Sequence, residues 1–211
     1  MKFEDRKDAG IRLAEALEKF KSEEPVVFAL SKGGVVLGAE IASKLGAPLD
    51  MIFVKKIGHP ENSEFTICAM ADDGPPVCTP DEIQKVSSKW LDKEIDRGRR
   101  EIRKRREKYF GEMTSHDVEG KTVIIVDDGI ATGLSVRAGI LEMKERKPKK
   151  LVVAIPVVPS PTSEILKAMV DELVSLMIDP HYLGTVGLYY HRFDQVEDEN
   201  VVTLLRSASK K

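Results

Sequence analysis

The sequence predicts an α/β fold: a mostly parallel five-stranded sheet flanked by helices, carrying an inserted hairpin and a charged helix. Two observations predict it. Five short, continuous apolar runs, at residues 26–30, 50–54, 122–126, 151–158 and 173–178, alternate with stretches of helical periodicity. Runs apolar on both faces belong to strands covered on both sides, and alternation with helices calls for right-handed crossovers. In addition, three of the runs end in polar or glycine-rich turns: Ser31-Lys32-Gly33-Gly34, Lys55-Lys56 and Asp127-Asp128-Gly129. In a parallel sheet these turns open on one rim, where ligands bind.

Along the chain, Ala9, Leu13, Ala16, Leu17 and Phe20 recur at helical spacing over residues 5–20. The run VVFAL (26–30) follows, then Gly33-Gly34 and a helix from about Val35 to Leu45, stopped by Gly46-Ala47-Pro48. The run DMIFV (50–54) leads into Lys55-Lys56, and the polar stretch 57–65 reads as a loop. Residues 66–71 and 75–78 flank Asp73-Gly74, a hairpin signal. Residues 81–110 read as one long surface helix with a thin seam at Leu91, Ile95, Gly98, Ile102, Arg105 and Tyr109. Between Lys89 and Lys108 it holds ten basic and five acidic residues. The remaining pattern is strand 122–126, helix 133–146, strand 151–158, helix 160–170 and strand 173–178, then a tail with Tyr189-Tyr190-His191-Arg192-Phe193 and an acidic patch at 197–199.

Composition narrows the function. The 211 residues suit one domain, and 33 basic against 35 acidic residues leave a net charge of −2. That balance asks for neither nucleic acid nor an acidic membrane as partner, and the basic helix reads as a solvated face. Cys68 and Cys78, as two free thiols, suit a reducing compartment, and no disulfide framework is possible beyond that one pair. The opening MKFEDRKDAG lacks an apolar core, and the longest apolar stretch, 151–158, is too short to cross a bilayer. The expectation is a cytoplasmic globular protein.

The sharpest motif is Asp127-Asp128-Gly129-Ile130-Ala131-Thr132-Gly133 after the run at 122–126. Adjacent carboxylates at a strand end accept hydrogen bonds only, and so suit the two hydroxyls of a vicinal diol. Small residues and a helix N-terminus just beyond suit an anion, with Thr132 and Ser135 adding hydroxyl donors. A diol acceptor beside a phosphate cradle describes ribose 5-phosphate. An ordinary acidic turn is the bland alternative, disfavoured by the cost of two neighbouring carboxylates.

This segment resembles the phosphoribosyl pyrophosphate signature of type I phosphoribosyltransferases. Leu30-Ser31-Lys32-Gly33-Gly34 resembles that family's pyrophosphate loop, and Lys55-Lys56 its basic pair. Residues 3–17 (FEDRKDAGIRLAEAL) and the tail GLYYHRFDQVEDEN are similar to the predicted phosphoribosyltransferase group of undefined acceptor. The resemblance implies a single domain over 1–211, with an inserted hairpin and helix at 66–118 and a small C-terminal hood at 179–211. It implies transfer of the 5-phosphoribosyl group from phosphoribosyl pyrophosphate to a small, nitrogenous acceptor, with release of pyrophosphate. Asp127 and Asp128 would hold the ribose diol, and Mg²⁺, bridged by substrate, would sit near them. Gly129, Ile130, Ala131, Thr132, Gly133 and Ser135 would hold the 5-phosphate. Ser31, Lys32, Gly33, Gly34, Lys55 and Lys56 would hold pyrophosphate, across a cis peptide at Ser31–Lys32. Asp127, Asp128 and Lys32 carry the catalytic assignment, and Tyr190 and Phe193 are candidates to stack on a planar acceptor. The family suggests a homodimer.

Two departures stand out. Ala131 falls where hypoxanthine-guanine members carry an Asp, and the stretch 57–65 is short for a mobile catalytic loop, with only Glu61 and Glu64 as acid or base candidates. The alternatives are a sensor that binds the same compound without turnover, and the reverse chemistry, phosphorolysis or hydrolysis of a nucleotide. His59, His116 and His181 stand alone, without metal-ligand spacing, and Trp90 reads as filler.

Overall fold

A computed structural model describes residues 2–111 and 115–208. In chain order the elements are α1 (Arg6–Ala16), β1 (Val26–Ala29), α2 (Lys32–Leu45), β2 (Leu49–Met51), β3 (Lys55–His59), β4 (Asn62–Met70) and β5 (Val77–Cys78). Then come α3 (Pro80–Ile83), α4 (Ser88–Phe110), β6 (Thr122–Val126), α5 (Leu134–Glu145), β7 (Lys150–Pro159), α6 (Ser160–Lys167), β8 (Glu172–Asp179) and α7 (Asp198–Ala208). Short 3-10 turns lie at Glu18–Glu23 and Val186–Tyr189.

Five of the strands form a parallel sheet in the order β2-β1-β6-β7-β8. Its alternate faces explain why the runs are apolar throughout. Val27, Ala29, Ile124, Val126 and Val152 pack with Leu13, Leu37, Ile41 and Val201 of α1, α2 and α7. Phe28, Val123, Ile125 and Val153 face the other way, onto Val136, Ile140, Met143 and Leu166 of α5 and α6. Burying each such Val, Leu or Ile contributes about 1.5–3 kcal/mol. The register sets Ala29 opposite both Met51 and Val126, so β1, β2 and β6 end level and their outgoing turns share one rim.

A second, antiparallel sheet, β3-β4-β5, stands beside that rim. It corrects three expectations. Lys55-Lys56 do not end β2 but begin β3, opposite Met70 and Ala69. The stretch 57–65 is not a loop but the outer part of the β3–β4 hairpin, and its polarity reflects the exposure of residues 60–65. Cys68 and Cys78 are not free thiols: the turn through Asp73-Gly74 places them opposite each other, with Cα atoms 4.0 Å apart, in a disulfide.

The long helix is also interrupted. Residues 84–87 separate α3 from α4, because Ser87 takes extended backbone (φ −67°, ψ 130°). Helix α4 presses Gly98, Ile102 and Tyr109 against the body. A Cβ at position 98 would lie 3.0 Å from Met70 Sδ and 3.3 Å from Lys55 Cγ, so glycine sets the approach. The tail adds a helix unforeseen in the sequence, α7, which packs on α2 and α4.

Two buried carboxyls tie outlying segments to the sheet. Glu142 of α5 accepts from Asp72 N–H at 2.8 Å, and burial pushes its carboxyl up to about 7. Burial alone would raise Asp50 too. Its bonds from His116, Ser115 and backbone N–H groups outweigh that and hold it below the usual range. His116 therefore has a structural place, fastening the segment after α4 to β2. Among the described residues no helix is long and apolar enough to cross a membrane.

Candidate functional site

The level ends of β1 and β6 create a cleft of about 660 Å³. The acid turn forms its floor. Asp127 Oδ1 accepts from Ser31 Oγ and from Asp128 N–H at 3.0 Å. Asp128 Oδ2 accepts from Arg6 Nε at 2.7 Å, and its backbone carbonyl accepts from the Tyr190 hydroxyl. Burial raises both carboxyls above the usual carboxylate range, and the charge of Asp128 raises Asp127 further. Ser31 opposes the rise at Asp127, and the Arg6 guanidinium opposes it at Asp128.

The turn from Gly129 to Gly133 then arches over the start of α5. Ile130 N–H donates to Val157 O at 3.1 Å and Thr162 Oγ1 donates to Ala131 O at 3.1 Å, which fixes the arch. Gly133 has φ +76°, a conformation that favours glycine, and a Cβ there would lie 2.8 Å from Thr162 Cγ2. No side chain caps α5, so the N–H groups of its first turn face the cleft without an internal partner. Thr132 and Ser135 both line the cleft beside them.

The β1–α2 turn is built differently. Its helix starts at Lys32, earlier than the periodicity suggests, so Gly33 and Gly34 lie within the first turn of α2. Ser31 caps it, accepting from Gly34 N–H at 2.9 Å while its own hydroxyl donates to Asp127. A Cβ at position 33 would lie 1.9 Å from Asp128 Oδ2, and one at 34 would lie 2.9 Å from Val126 O. The glycines thus let the two turns touch. The Ser31–Lys32 peptide is trans, which corrects the expected cis bond: Ser31 reaches its capping position with ordinary extended backbone (φ −131°, ψ 169°).

The basic candidates diverge. Lys56 lines the cleft and has no ion-pair partner among the described residues, whereas Lys55 turns to Glu101 of α4 at 2.7 Å. Lys32 lines the cleft with its ammonium 2.5 Å from Asp198 Oδ1. Asp198 also receives Lys108 and the Tyr109 hydroxyl, and Lys108, Lys32 and Tyr109 together hold its carboxyl far below the usual range.

The far wall is Gly184, Thr185, Val186, Phe193, Gln195 and Val196. Phe193 faces the cleft with the Arg6 guanidinium 3.7 Å from its ring centre. Tyr190 does not: it is buried behind Asp128 with its ring against Phe3 and Phe193, which makes it a brace instead of a stacking surface. His59, His181, Glu61 and Glu64 do not line the cleft. Sequence reasoning missed Arg6, which reaches the acid pair from α1, 122 residues away in the chain, and also bonds Asp194 O at 2.6 Å.

Among the described residues no three carboxylate, His or Cys groups gather to cage a metal. The donor set at Asp127 and Asp128 is nonetheless of the kind Mg²⁺ takes when substrate oxygens complete its shell: one or two carboxylates and the rest from phosphates and water.

A parallel sheet with an acid pair and a glycine-bounded arch on one rim defines a recognisable class of α/β protein, and the comparisons name it. The sequence pattern of the phosphoribosyl transferase domain matches residues 4–178, and the chain belongs to that family, within the type I superfamily. Two curated proteins of Mycobacterium tuberculosis (strains CDC 1551 / Oshkosh and ATCC 25618 / H37Rv), each bearing the name "Putative phosphoribosyl transferase", are 32% identical over 210 residues. The match covers 99% of this chain and 47% of theirs, so the chain spans about half the length of these curated relatives. Among solved structures, TT1426 from Thermus thermophilus is 38% identical with a TM-score of 0.83, over 99% of this chain and 100% of that one. The AQ2163 protein from Aquifex aeolicus shares the fold at 13% identity and a TM-score of 0.51, over 82% of this chain and 74% of that one.

Proposed function

We propose that the cleft binds phosphoribosyl pyrophosphate and transfers its 5-phosphoribosyl group to a small nitrogenous acceptor, releasing pyrophosphate. One observation carries this reading. Paired carboxylates, an uncapped helix N-terminus and Lys56, which has no ion-pair partner among the described residues, converge on a single cleft of about 660 Å³. The carboxylates of Asp127 and Asp128 accept from the ribose 2- and 3-hydroxyls. The amides of residues 129–133, with the Thr132 and Ser135 hydroxyls, hold the 5-phosphate. Lys56 and Lys32 face the diphosphate. In the transfer, the bond from C1 to the diphosphate oxygen breaks and a bond from C1 to the acceptor nitrogen forms. The electron pair leaves with pyrophosphate, and the acceptor's proton goes to solvent or to the leaving group. Asp127 and Asp128 would hold Mg²⁺ together with the substrate, and the ion would supply positive charge against the departing diphosphate. The protein's own contribution is positioning and electrostatic support of that charge. Phe193 and Val186 form the wall nearest a planar acceptor.

Calorimetric titration tests the site. Asp128→Asn is expected to weaken phosphoribosyl pyrophosphate binding roughly tenfold or more, since it removes a charged acceptor, while the melting temperature changes little. Unchanged affinity contradicts the assignment. Pyrophosphate release, measured against purines, pyrimidines and heterocyclic acids, then identifies the acceptor. A sensor without turnover is the second reading, favoured by Ala131, which puts no acid or base beside the acceptor. Binding with no pyrophosphate release for any acceptor would support it.

A further inference from the structure

The rim holds a second cleft of about 380 Å³. It shares Ser31, Lys32, Lys56 and Asp127 with the first, and Arg105 and Tyr109 of α4 close its outer side. Four cations line it, Lys32, Lys55, Lys56 and Arg105, against the single carboxylate Asp127. Lys32 and Lys55 have partners in Asp198 and Glu101. Lys56 and Arg105 have no acidic partner at ion-pair distance among the described residues. Like charges gathered without a counterion repel, and an entering anion relieves that repulsion.

Helix α4 fixes where Arg105 stands. One turn before it, Glu101 grips Lys55. One turn after it, Lys108 and Tyr109 grip Asp198, which in turn holds Lys32. Positions 101, 105 and 109 lie on one face of a helix, so Arg105 is held over the cleft between two anchors. It is also the one charged residue in the seam of Leu91, Ile95, Gly98, Ile102 and Tyr109. Arg105 is exposed, so its guanidinium is open to an anion entering from solvent.

We propose that Arg105, reaching in from α4 on the outer side of this cleft, binds the leaving pyrophosphate. The inference rests on the phosphoribosyl pyrophosphate reading. A guanidinium presents paired N–H donors that match phosphate oxygens, which an ammonium does not. The charged helix thereby acquires a role: it carries one binding residue to the site, while Lys108 of the same helix pairs with Asp198.

The test is calorimetric titration of the full chain with three probes: inorganic pyrophosphate, ribose 5-phosphate and phosphoribosyl pyrophosphate. Arg105→Ala is expected to weaken pyrophosphate and phosphoribosyl pyrophosphate roughly tenfold and to leave ribose 5-phosphate within about twofold. Arg105→Lys should recover only part of the loss. Lys104→Ala, which removes an exposed neighbouring charge, should change none of the three by more than about twofold. If the wild-type chain binds all three probes and Arg105→Ala binds pyrophosphate equally well, the Arg105 assignment is wrong and the substrate reading stands. An equal loss in Lys104→Ala would mean diffuse attraction and would also overturn it. Binding of pyrophosphate alone, lost in Arg105→Ala, would keep the anion site and remove the sugar reading. A wild-type chain that binds none of the probes removes both.

Discussion

Two neighbouring strands, β1 and β6, each end in a turn that leads into a helix, and the two turns solve the same geometric problem in opposite ways. After β1, α2 begins at once, and Ser31 caps it by taking the Gly34 N–H. After β6, an arch of several residues precedes α5, whose first turn has no side-chain cap. A capped terminus has fewer free amides to offer an anion than an uncapped one. On the proposed reading, the phosphate goes to α5 and the β1 side recognises charge through the side chains of Lys32, Lys56 and Arg105. It also separates their debts to the rest of the chain. The acid turn draws in Arg6, Ser31 and Tyr190, whereas Lys32 reaches outward to Asp198.

The contact between the turns is the place to break this division of labour. Gly33→Ala would put a Cβ 1.9 Å from Asp128 Oδ2, with Arg6 Nε at 2.6 Å. Overpacking of this kind costs about 1–3 kcal/mol. The expected outcome is a melting temperature lower by several degrees and a hundredfold or greater loss of phosphoribosyl pyrophosphate affinity, roughly 2.8 kcal/mol. Normal binding in this variant would show that the turns need not touch.

Arg6→Leu sharpens the acid side alone. Without its guanidinium, the Asp128 carboxyl, already raised by burial, rises further. Affinity should drop roughly tenfold near pH 6.5 and less near pH 8.5, where the carboxylate is restored. A loss of the same size at both pH values would assign Arg6 a purely steric role.

The smallest effect is on the ligand-free protein. Asp127 is raised in the folded state, so between the ordinary aspartate value and its raised one the folded chain binds more protons than the unfolded chain. Stability contributed by this group therefore falls as pH rises through that window. Asp127→Asn should match the wild type near pH 4 and exceed it by about 1 kcal/mol near pH 8, read from denaturant unfolding. A wild type more stable than the variant at pH 8 would mean that the acid pair is not strained when empty.

The legible parts of the molecule were those coded locally. The five strands of the main sheet are continuous apolar runs because both faces are covered, and the acid turn carries its chemistry in consecutive residues. What failed depended on partners distant in the chain. The β3–β4 hairpin is paired backbone whose outer residues stay in water, so polarity disguised it as a loop. The hairpin around Asp73-Gly74 forms as expected, but the disulfide follows from a register that spacing alone does not reveal. Helix α7 buries only Val201 and Leu205 among its side chains and begins in an acidic patch that looked like surface. Arg6 sits just inside a helix whose sequence gives no sign of the carboxylate it meets. Lys55 and Lys56 are adjacent in sequence, and the alternation of β3 turns Lys55 to Glu101 while Lys56 lines the larger cleft.

The stitch between the two ends of the chain has a temporal side. Phe3 N–H donates to Tyr189 O, His191 N–H to Phe3 O, and Arg192 N–H to Glu4 O, which settles the segment from which Arg6 departs. On a ribosome, the central strands emerge and can associate long before residues 189–194 are made. The backbone bonds that settle the segment carrying the counterion of Asp128 can therefore form only after that scaffold has been made.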